Sequence, residues 1–160
     1  MELNHLLWLA TAAYAVHVLE EFVFDWRNWA RIVLKLPVEW STFYVTNAVV
    51  IVLGVVSAQV SGPFPTVALA FPALMLINAT FVHLAPFLWT RGRFSPGLIT
   101  AMALFYPMGI WCYRAAASVG VLTTGGLFGS IALGALVMAT PILFLKASGI
   151  AYFKQDRPRV

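Results

Sequence analysis

Hydrophobic residues fall into long runs along the chain, separated by short stretches that hold most of the charges. A helical run crosses the ~30 Å of membrane hydrocarbon when it contains about 20 residues, because each residue rises ~1.5 Å. Runs of this length cover approximately residues 4–24, 41–60, 66–89, 96–117 and 126–147. The pattern predicts an all-α fold, a polytopic membrane bundle of about five transmembrane helices in a single domain over residues 1–160.

The segment between the first two runs has a different pattern. Basic residues recur at every fourth position and lie opposite a row of large apolar side chains, an amphipathic arrangement. The basic residues are Arg27, Arg31 and Lys35, and the apolar row is Trp26, Trp29, Val33 and Leu36. We expect an interfacial helix with its tryptophans at headgroup depth, bordering the lateral or cytoplasmic entrance of any nearby site. The alternative is a helical extension of the first span.

Composition supports a membrane protein and gives it an orientation. Of the 160 residues, 61% are hydrophobic and 10% charged, and mean hydropathy is +0.87, whereas soluble domains carry about 25% charged residues. Nearly all Lys and Arg lie on one side of a five-span arrangement, with only Arg114 near the other. The positive-inside rule predicts an inner (cytoplasmic) membrane location, the amino terminus outside and the carboxyl terminus in the cytoplasm. The first run has no Lys or Arg at its start, so we expect a retained span and not a signal peptide.

Charge and cysteine content exclude other classes. The net charge is +4, but the basic residues lie at the ends of apolar runs and form no basic face, which argues against nucleic-acid binding. The single cysteine, Cys112, excludes an intrachain disulfide and a cysteine-cluster metal site.

The stretch "HVLEEFVFDW" places polar residues inside the first apolar run. His17 and Glu21 are four residues apart and share a helical face, whereas the adjacent Glu20 diverges by about 100°. A charged carboxylate at mid-bilayer costs roughly 2.5–3.5 kcal/mol, so these residues need a partner or a function. Counted at ~1.5 Å per helical residue from the cytoplasmic end of each run, His17 lies ~12 Å and His83 ~10 Å inside the membrane. We therefore expect His17, Glu20, Glu21 and His83 to converge in one cavity near the cytoplasmic side.

Other polar residues belong to the same layer of the bundle. Asn47, Asn78 and Thr100 lie in the second, third and fourth runs, and Tyr14 continues the face of His17 outward. We predict that these four residues contribute to substrate binding. The alternative is that Asn47, Asn78 and Thr100 only join helices by hydrogen bonds.

These motifs resemble those of a known family. "HVLEE" resembles the signature of the HXXEE-domain family of small bacterial membrane proteins. "NATFVHLAPFLWTRGRFSPGLITA" is similar to the second block of that family, in which an Asn shortly precedes a His and a basic residue, Pro-Gly and Thr-Ala follow. The resemblance covers roughly residues 5–115. It implies a shared site, without naming a reaction, at His17, Glu20, Glu21, Asn78, His83, Arg93, Pro96 and Gly97.

Two enzymatic interpretations follow from these residues. In the first, His17, Glu21 and His83 bind one divalent metal ion (Zn, Fe or Mn), and Glu20 is a further ligand or the general base of a metal-dependent hydrolase. In the second, no cofactor is needed, and His17, Glu20 and Glu21 act as general acid and base in an isomerase or cyclase. Both act on a hydrophobic small molecule, a lipid or an isoprenoid.

A non-enzymatic interpretation remains open. The protein is then a proton-coupled carrier, in which His17 and Glu21 relay protons, or a non-catalytic membrane subunit. A homodimer would supply the second half of such a carrier. Small residues of the fifth run, Gly125, Gly129, Ser130 and Gly134, allow close helix packing within the chain or between two copies. The expected partners are the lipid bilayer, a hydrophobic small molecule and a second copy.

Overall fold

The computed structural model describes residues 2–147, 150 and 152, which fold into helices joined by short turns. This part of the chain contains no β-strand, so the predicted all-α class is confirmed, and a helix matches each predicted run to within a few residues. The helices are α1 (Leu3–Val23), α2 (26–34), α3 (Trp40–Val60), α4 (Pro65–Trp89), α5 (98–118) and α6 (Thr124–Ala147).

Among the described residues, α1, α3, α4 and α6 are long and apolar enough to cross a membrane. Helix α5, which matches the fourth predicted run, has a comparable length but is less apolar. Its polar side chains join it to neighbouring helices: the hydroxyls of Tyr106 and Thr80 lie 2.8 Å apart, as do those of Tyr113 and Ser130. The structure thus supports a membrane bundle with four candidate spans, to which α5 is attached by interhelical hydrogen bonds.

Several helices contain π-helical turns. Helix α4 runs as Pro65–Ala68 and Ala70–Asn78, then the π segment Ala79–Leu84, then Ala85–Trp89. Helix α5 runs as Leu98–Thr100, the π segment Ala101–Phe105 and Tyr106–Ser118. A π turn accommodates an extra residue and so changes the direction of the side chains that follow. His83 lies inside the π segment of α4, so regular helical periodicity does not give its direction.

The small residues of α6 pack against α4 within the chain. A Cβ atom at Gly134 would lie 2.8 Å from the carbonyl oxygen of Ala70 and from the backbone nitrogen of Leu74. Ser130 is buried, whereas Gly125 has open space around it. The expected close packing is therefore confirmed at Gly134 and Ser130 as an intramolecular contact.

The segment between α1 and α3 is helical, as predicted. Its α-turn is Trp26–Trp29 and its π turn is Ala30–Leu34. Arg27 and Arg31 both form ion pairs with Glu39, just before α3. Hydrogen bonds from these two guanidinium groups lower the pKa of the Glu39 carboxyl. Trp29 is buried against Val38 and Phe43, and its expected depth at the lipid headgroups stays a prediction.

Candidate metal centre

Three potential metal ligands meet in the interior of the bundle. His17 and Glu21 extend from successive turns of α1, and His83 extends from the π segment of α4. The Nε2 atoms of His17 and His83 lie 3.6 and 3.5 Å from Oε1 of Glu21. All three residues are buried, and their possible ligand atoms lie within 4.8 Å of one another. These three residues therefore meet, as predicted, but of the four residues expected in one cavity only Glu21 lines the cavity beside them.

These distances fit a shared ion better than direct hydrogen bonds. An N–H···O bond spans 2.7–3.2 Å, which is shorter than both contacts. Ligand atoms about 2.0–2.2 Å from a tetrahedral ion lie roughly 3.3–3.6 Å apart, by simple geometry. Within the described chain, the Nε2 atoms of His17 and His83 have no hydrogen-bond partner. The donor set of two imidazoles and one carboxylate suits Zn, Fe or Mn.

The other ring nitrogen of each histidine is held by a hydroxyl group. Nδ1 of His17 lies 2.8 Å from Oγ1 of Thr100, and Nδ1 of His83 lies 3.1 Å from Oγ of Ser95. Thr100 donates its single hydroxyl proton to Oε2 of Glu20. Nδ1–H of His17 then donates to Thr100, and in the neutral imidazole this leaves a lone pair on Nε2. This is the outer hydrogen-bonding arrangement that orients a metal-binding imidazole.

Glu20 binds backbone at the start of α5. Its Oε1 accepts hydrogen bonds from the backbone N–H of Gly97 and Ile99, both at 3.1 Å, and its Oε2 accepts one from the N–H of Thr100 at 2.7 Å. A carboxylate here satisfies unpaired amides and complements the helix dipole. Glu20 therefore lies outside the ligand group, because its oxygens are engaged by α5. Its suggested role as a general base stays a prediction.

The turn before α5 completes the wall of the centre. Gly97 has φ +95°, and a Cβ atom there would lie 2.5 Å from Cε1 of His83 and 2.8 Å from Cε1 of His17. Only glycine fits both the backbone conformation and the contact. Ser95, which anchors His83, was missed by the sequence analysis. The one sequence feature that pointed to Ser95 was its position immediately before the Pro-Gly pair. Of the other residues that the family resemblance implied, Pro96 is buried and Arg93 is exposed.

An apolar cavity of about 370 Å³ adjoins the centre, with Glu21 in its wall. The remaining wall comes from α1, α2, α3, α4 and α6 and from the turn between α2 and α3. Three of the predicted substrate-binding residues, Tyr14, Asn47 and Asn78, line this cavity. Thr100 does not line it, because its hydroxyl is held between Glu20 and His17.

The polar residues of the cavity differ in how they are paired. The Tyr14 hydroxyl donates to Oδ1 of Asn47 at 2.7 Å, and the Asn47 amide donates to the carbonyl of Phe43 at 3.0 Å. Oδ1 of Asn78 is buried and, in the described part of the molecule, has no partner. Asn78 therefore offers an unpaired polar group to a bound molecule, whereas Tyr14 and Asn47 also join α1 to α3.

Comparisons with known proteins identify the family and no activity. No curated protein and no solved structure matches the chain. Residues 8–112 match the family described as proteins of unknown function with an HXXEE motif. The matched range includes His17, Glu20 and Glu21, which form the motif, and also His83. Because this match spans well over half of the 160 residues, the protein belongs to the HXXEE family.

Proposed function

We propose that the protein is an integral-membrane enzyme that binds one divalent metal ion through His17, Glu21 and His83 and acts on a hydrophobic small molecule in the adjoining cavity. The observation that carries this proposal is the pair of buried Nε2 atoms facing one carboxylate oxygen at 3.5–3.6 Å, beyond hydrogen-bond distance. In a neutral imidazole with its proton on Nδ1, the lone pair on Nε2 would repel the Glu21 carboxylate, and a metal ion held between them would remove this repulsion.

The surroundings suit catalysis better than a purely structural role. Three protein ligands leave coordination positions open, and a bound ion would supply Lewis acidity or an activated water. Glu21 belongs both to the ligand group and to the cavity wall. Asn78 and the Tyr14–Asn47 pair would orient a polar group of the substrate beside Glu21.

The proposal includes an orientation in the inner membrane. The end of α1, the start of α3, the end of α4 and the start of α5 share one end of an antiparallel bundle, together with α2. Arg27, Arg31, Lys35, Arg91 and Arg93 lie there. With α5 crossing as a fifth span, the positive-inside rule places this end in the cytoplasm, the amino terminus outside and the carboxyl terminus inside. Lys154, Arg157 and Arg159, which favour the same orientation, lie outside the described residues.

Turnover in detergent tests the proposal. Purified protein is incubated with a total bacterial lipid extract, with and without a chelator, and lipid species are compared by mass spectrometry. We expect a substrate–product pair that depends on wild-type protein, disappears with chelator or with Glu21→Gln, and persists with the exposed control Glu2→Gln.

Other results would favour the competing functions. Turnover that survives complete metal removal would support metal-free acid–base chemistry by His17 and Glu21. Absence of turnover, together with solute flux that requires sealed vesicles and a proton gradient, would support a carrier.

A further inference from the structure

A second cavity lies beside the inner cavity and opens toward the outside of the bundle. This outer cavity has a volume of about 670 Å³ and lies between α3 and α6. Six residues line both cavities, so the two share a wall. They are Thr42, Thr46, Val50, Val137, Pro141 and Leu145.

The helices beside the outer cavity pack against different neighbours. Helix α3 packs mainly on α1, and α6 packs mainly on α4, whereas direct packing between α3 and α6 is sparse in the described chain. Pro141 lies inside α6 and lines both cavities. A proline in a helix interior removes one backbone hydrogen bond and bends or loosens the helix. The two helices therefore flank a cleft in place of a packed interface.

The opposite route, from water, is covered by apolar residues. Trp26 and Leu34 from α2, and Leu36 and Val38 from the following turn, form one wall of the inner cavity. The ion pairs of Arg27 and Arg31 with Glu39 hold this segment against α3. Residues exposed beside the outer cavity, such as Val45, Val49 and Phe144, are apolar and suit contact with lipid.

We propose that the cleft between α3 and α6 is a lateral portal through which a neutral, single-chain lipid reaches Glu21 directly from the bilayer. This inference deepens the proposed function and rests on it. The volume of the inner cavity is near the lower bound for small-molecule pockets, about 300 Å³. A cavity of this size suits a lipid with one hydrocarbon chain and not one with two. Its lining contains Asn47, Asn78 and Glu21 and no Lys or Arg. A hydroxyl or carbonyl head group finds partners there, whereas a phosphate finds no basic side chain.

Photolabelling in vesicles tests the portal. The probe is a hexadecanol that carries a diazirine, added to phosphatidylcholine vesicles containing the full-length protein, and adducts are located by mass spectrometry. We expect labelling of inner-cavity residues such as Ile77 and Met138. Val49→Trp, in the portal, should reduce inner labelling several-fold. Val56→Trp, on an exposed position two turns further along α3 and outside both cavities, should leave it unchanged.

Competition separates the classes of lipid, and a second variant guards against misfolding. Unlabelled hexadecanol should suppress inner labelling, and lysophosphatidic acid should not. Val45→Trp, on the portal wall, should reproduce the effect of Val49→Trp. Equal inner labelling in Val49→Trp and Val56→Trp, or labelling of the outer surface alone in wild type, would overturn the portal. Equal competition by lysophosphatidic acid would overturn the neutral head group.

Metal content measured in the same samples separates this inference from the proposed function. Labelling needs neither turnover nor metal, so His83→Ala should lose metal and retain inner labelling. Bound metal without inner labelling would reject the portal alone. Inner labelling in wild-type protein that binds no metal would reject the metal centre alone.

Discussion

At the scale of single residues, Gly97 allows a direct test of how closely the centre is packed. Gly97→Ala adds a Cβ that meets both imidazole rings, at a position with φ +95°. Gly120→Ala is the matched control, because Gly120 has φ +73° but nothing within 4 Å of the added atom. Both variants carry the backbone cost of roughly 1–2 kcal/mol for a left-handed alanine. We expect only Gly97→Ala to weaken metal binding, measured by titration, and comparable affinities in both would contradict the packing.

Glu20 and Glu21 are adjacent in sequence, yet we expect their substitutions to have different effects. Glu20→Gln removes the charge that accepts bonds from the start of α5 and should cost about 1–2 kcal/mol of stability. Glu21→Gln should abolish metal binding and leave the thermal unfolding of the metal-free protein nearly unchanged. Thermal unfolding in detergent, with Glu2→Gln as the exposed control, measures the first effect. Equal unfolding temperatures for Glu20→Gln and Glu2→Gln would remove the capping role.

The sequence predicted part of the centre, for reasons that belong to single residues. His17 and Glu21 were paired correctly because a spacing of four places residues on one helical face. His83 was identified by its expected depth in the membrane. The direction of its side chain depends on the π segment Ala79–Leu84, which no pattern in the sequence predicts. The hydrogen-bond partners of Glu20 were not predictable, because they are backbone N–H groups about 80 residues away in the chain. Ser95 was missed for the same reason, since only the folded turn brings it to His83.

At the scale of elements, the ion pairs of Glu39 should hold α2 in place. In Glu39→Gln the carboxylate that binds Arg27 and Arg31 is lost, and we expect faster proteolysis within residues 30–38. Limited digestion in detergent measures the rate, and Glu2→Gln is the control. Unchanged cleavage in Glu39→Gln would show that α2 is held by its apolar contacts alone.

The same contact should respond to acid. The pKa of Glu39 is lowered in the folded protein from 4.5 by its hydrogen bonds with Arg27 and Arg31. A lowered pKa means that the stabilisation is complete above the unfolded value and is lost as the pH falls through the folded value. Wild-type cleavage should therefore rise below about pH 4.5, and the rate in Glu39→Gln should stay nearly constant over that range. Parallel pH profiles for the two proteins would contradict this.

At the scale of the whole molecule, the orientation follows from charge. By the positive-inside rule, the basic end of the bundle stays in the cytoplasm. We therefore expect a reporter fused after residue 160 to lie in the cytoplasm and one fused before residue 1 to lie outside. Paired alkaline phosphatase and green fluorescent protein fusions measure this. Alkaline phosphatase activity at the carboxyl terminus would reject the orientation.

The helices themselves were predictable, because long apolar runs specify their length and class. Helix α5 was predicted as the fourth of five spans, and its lower apolarity reflects residues such as Tyr106 and Tyr113, whose hydroxyls bond to α4 and α6. The cleft between α3 and α6 was not predictable. It depends on α6 packing against α4 through Gly134 and on α3 packing against α1, and hydropathy does not report which helices become neighbours.

The most direct test of the metal centre is the metal content of the purified protein. Four proteins are compared: wild type, the variants His17→Ala and His83→Ala, and the control His5→Ala. Each is purified without chelator, loaded with Zn²⁺, Fe²⁺ or Mn²⁺, desalted and analysed by elemental mass spectrometry. His5 is exposed and apart from the centre. The centre predicts about one ion per chain in wild type and His5→Ala, and loss of that ion in both other variants. Wild-type protein that retains no ion, or His83→Ala that retains as much as wild type, would contradict it.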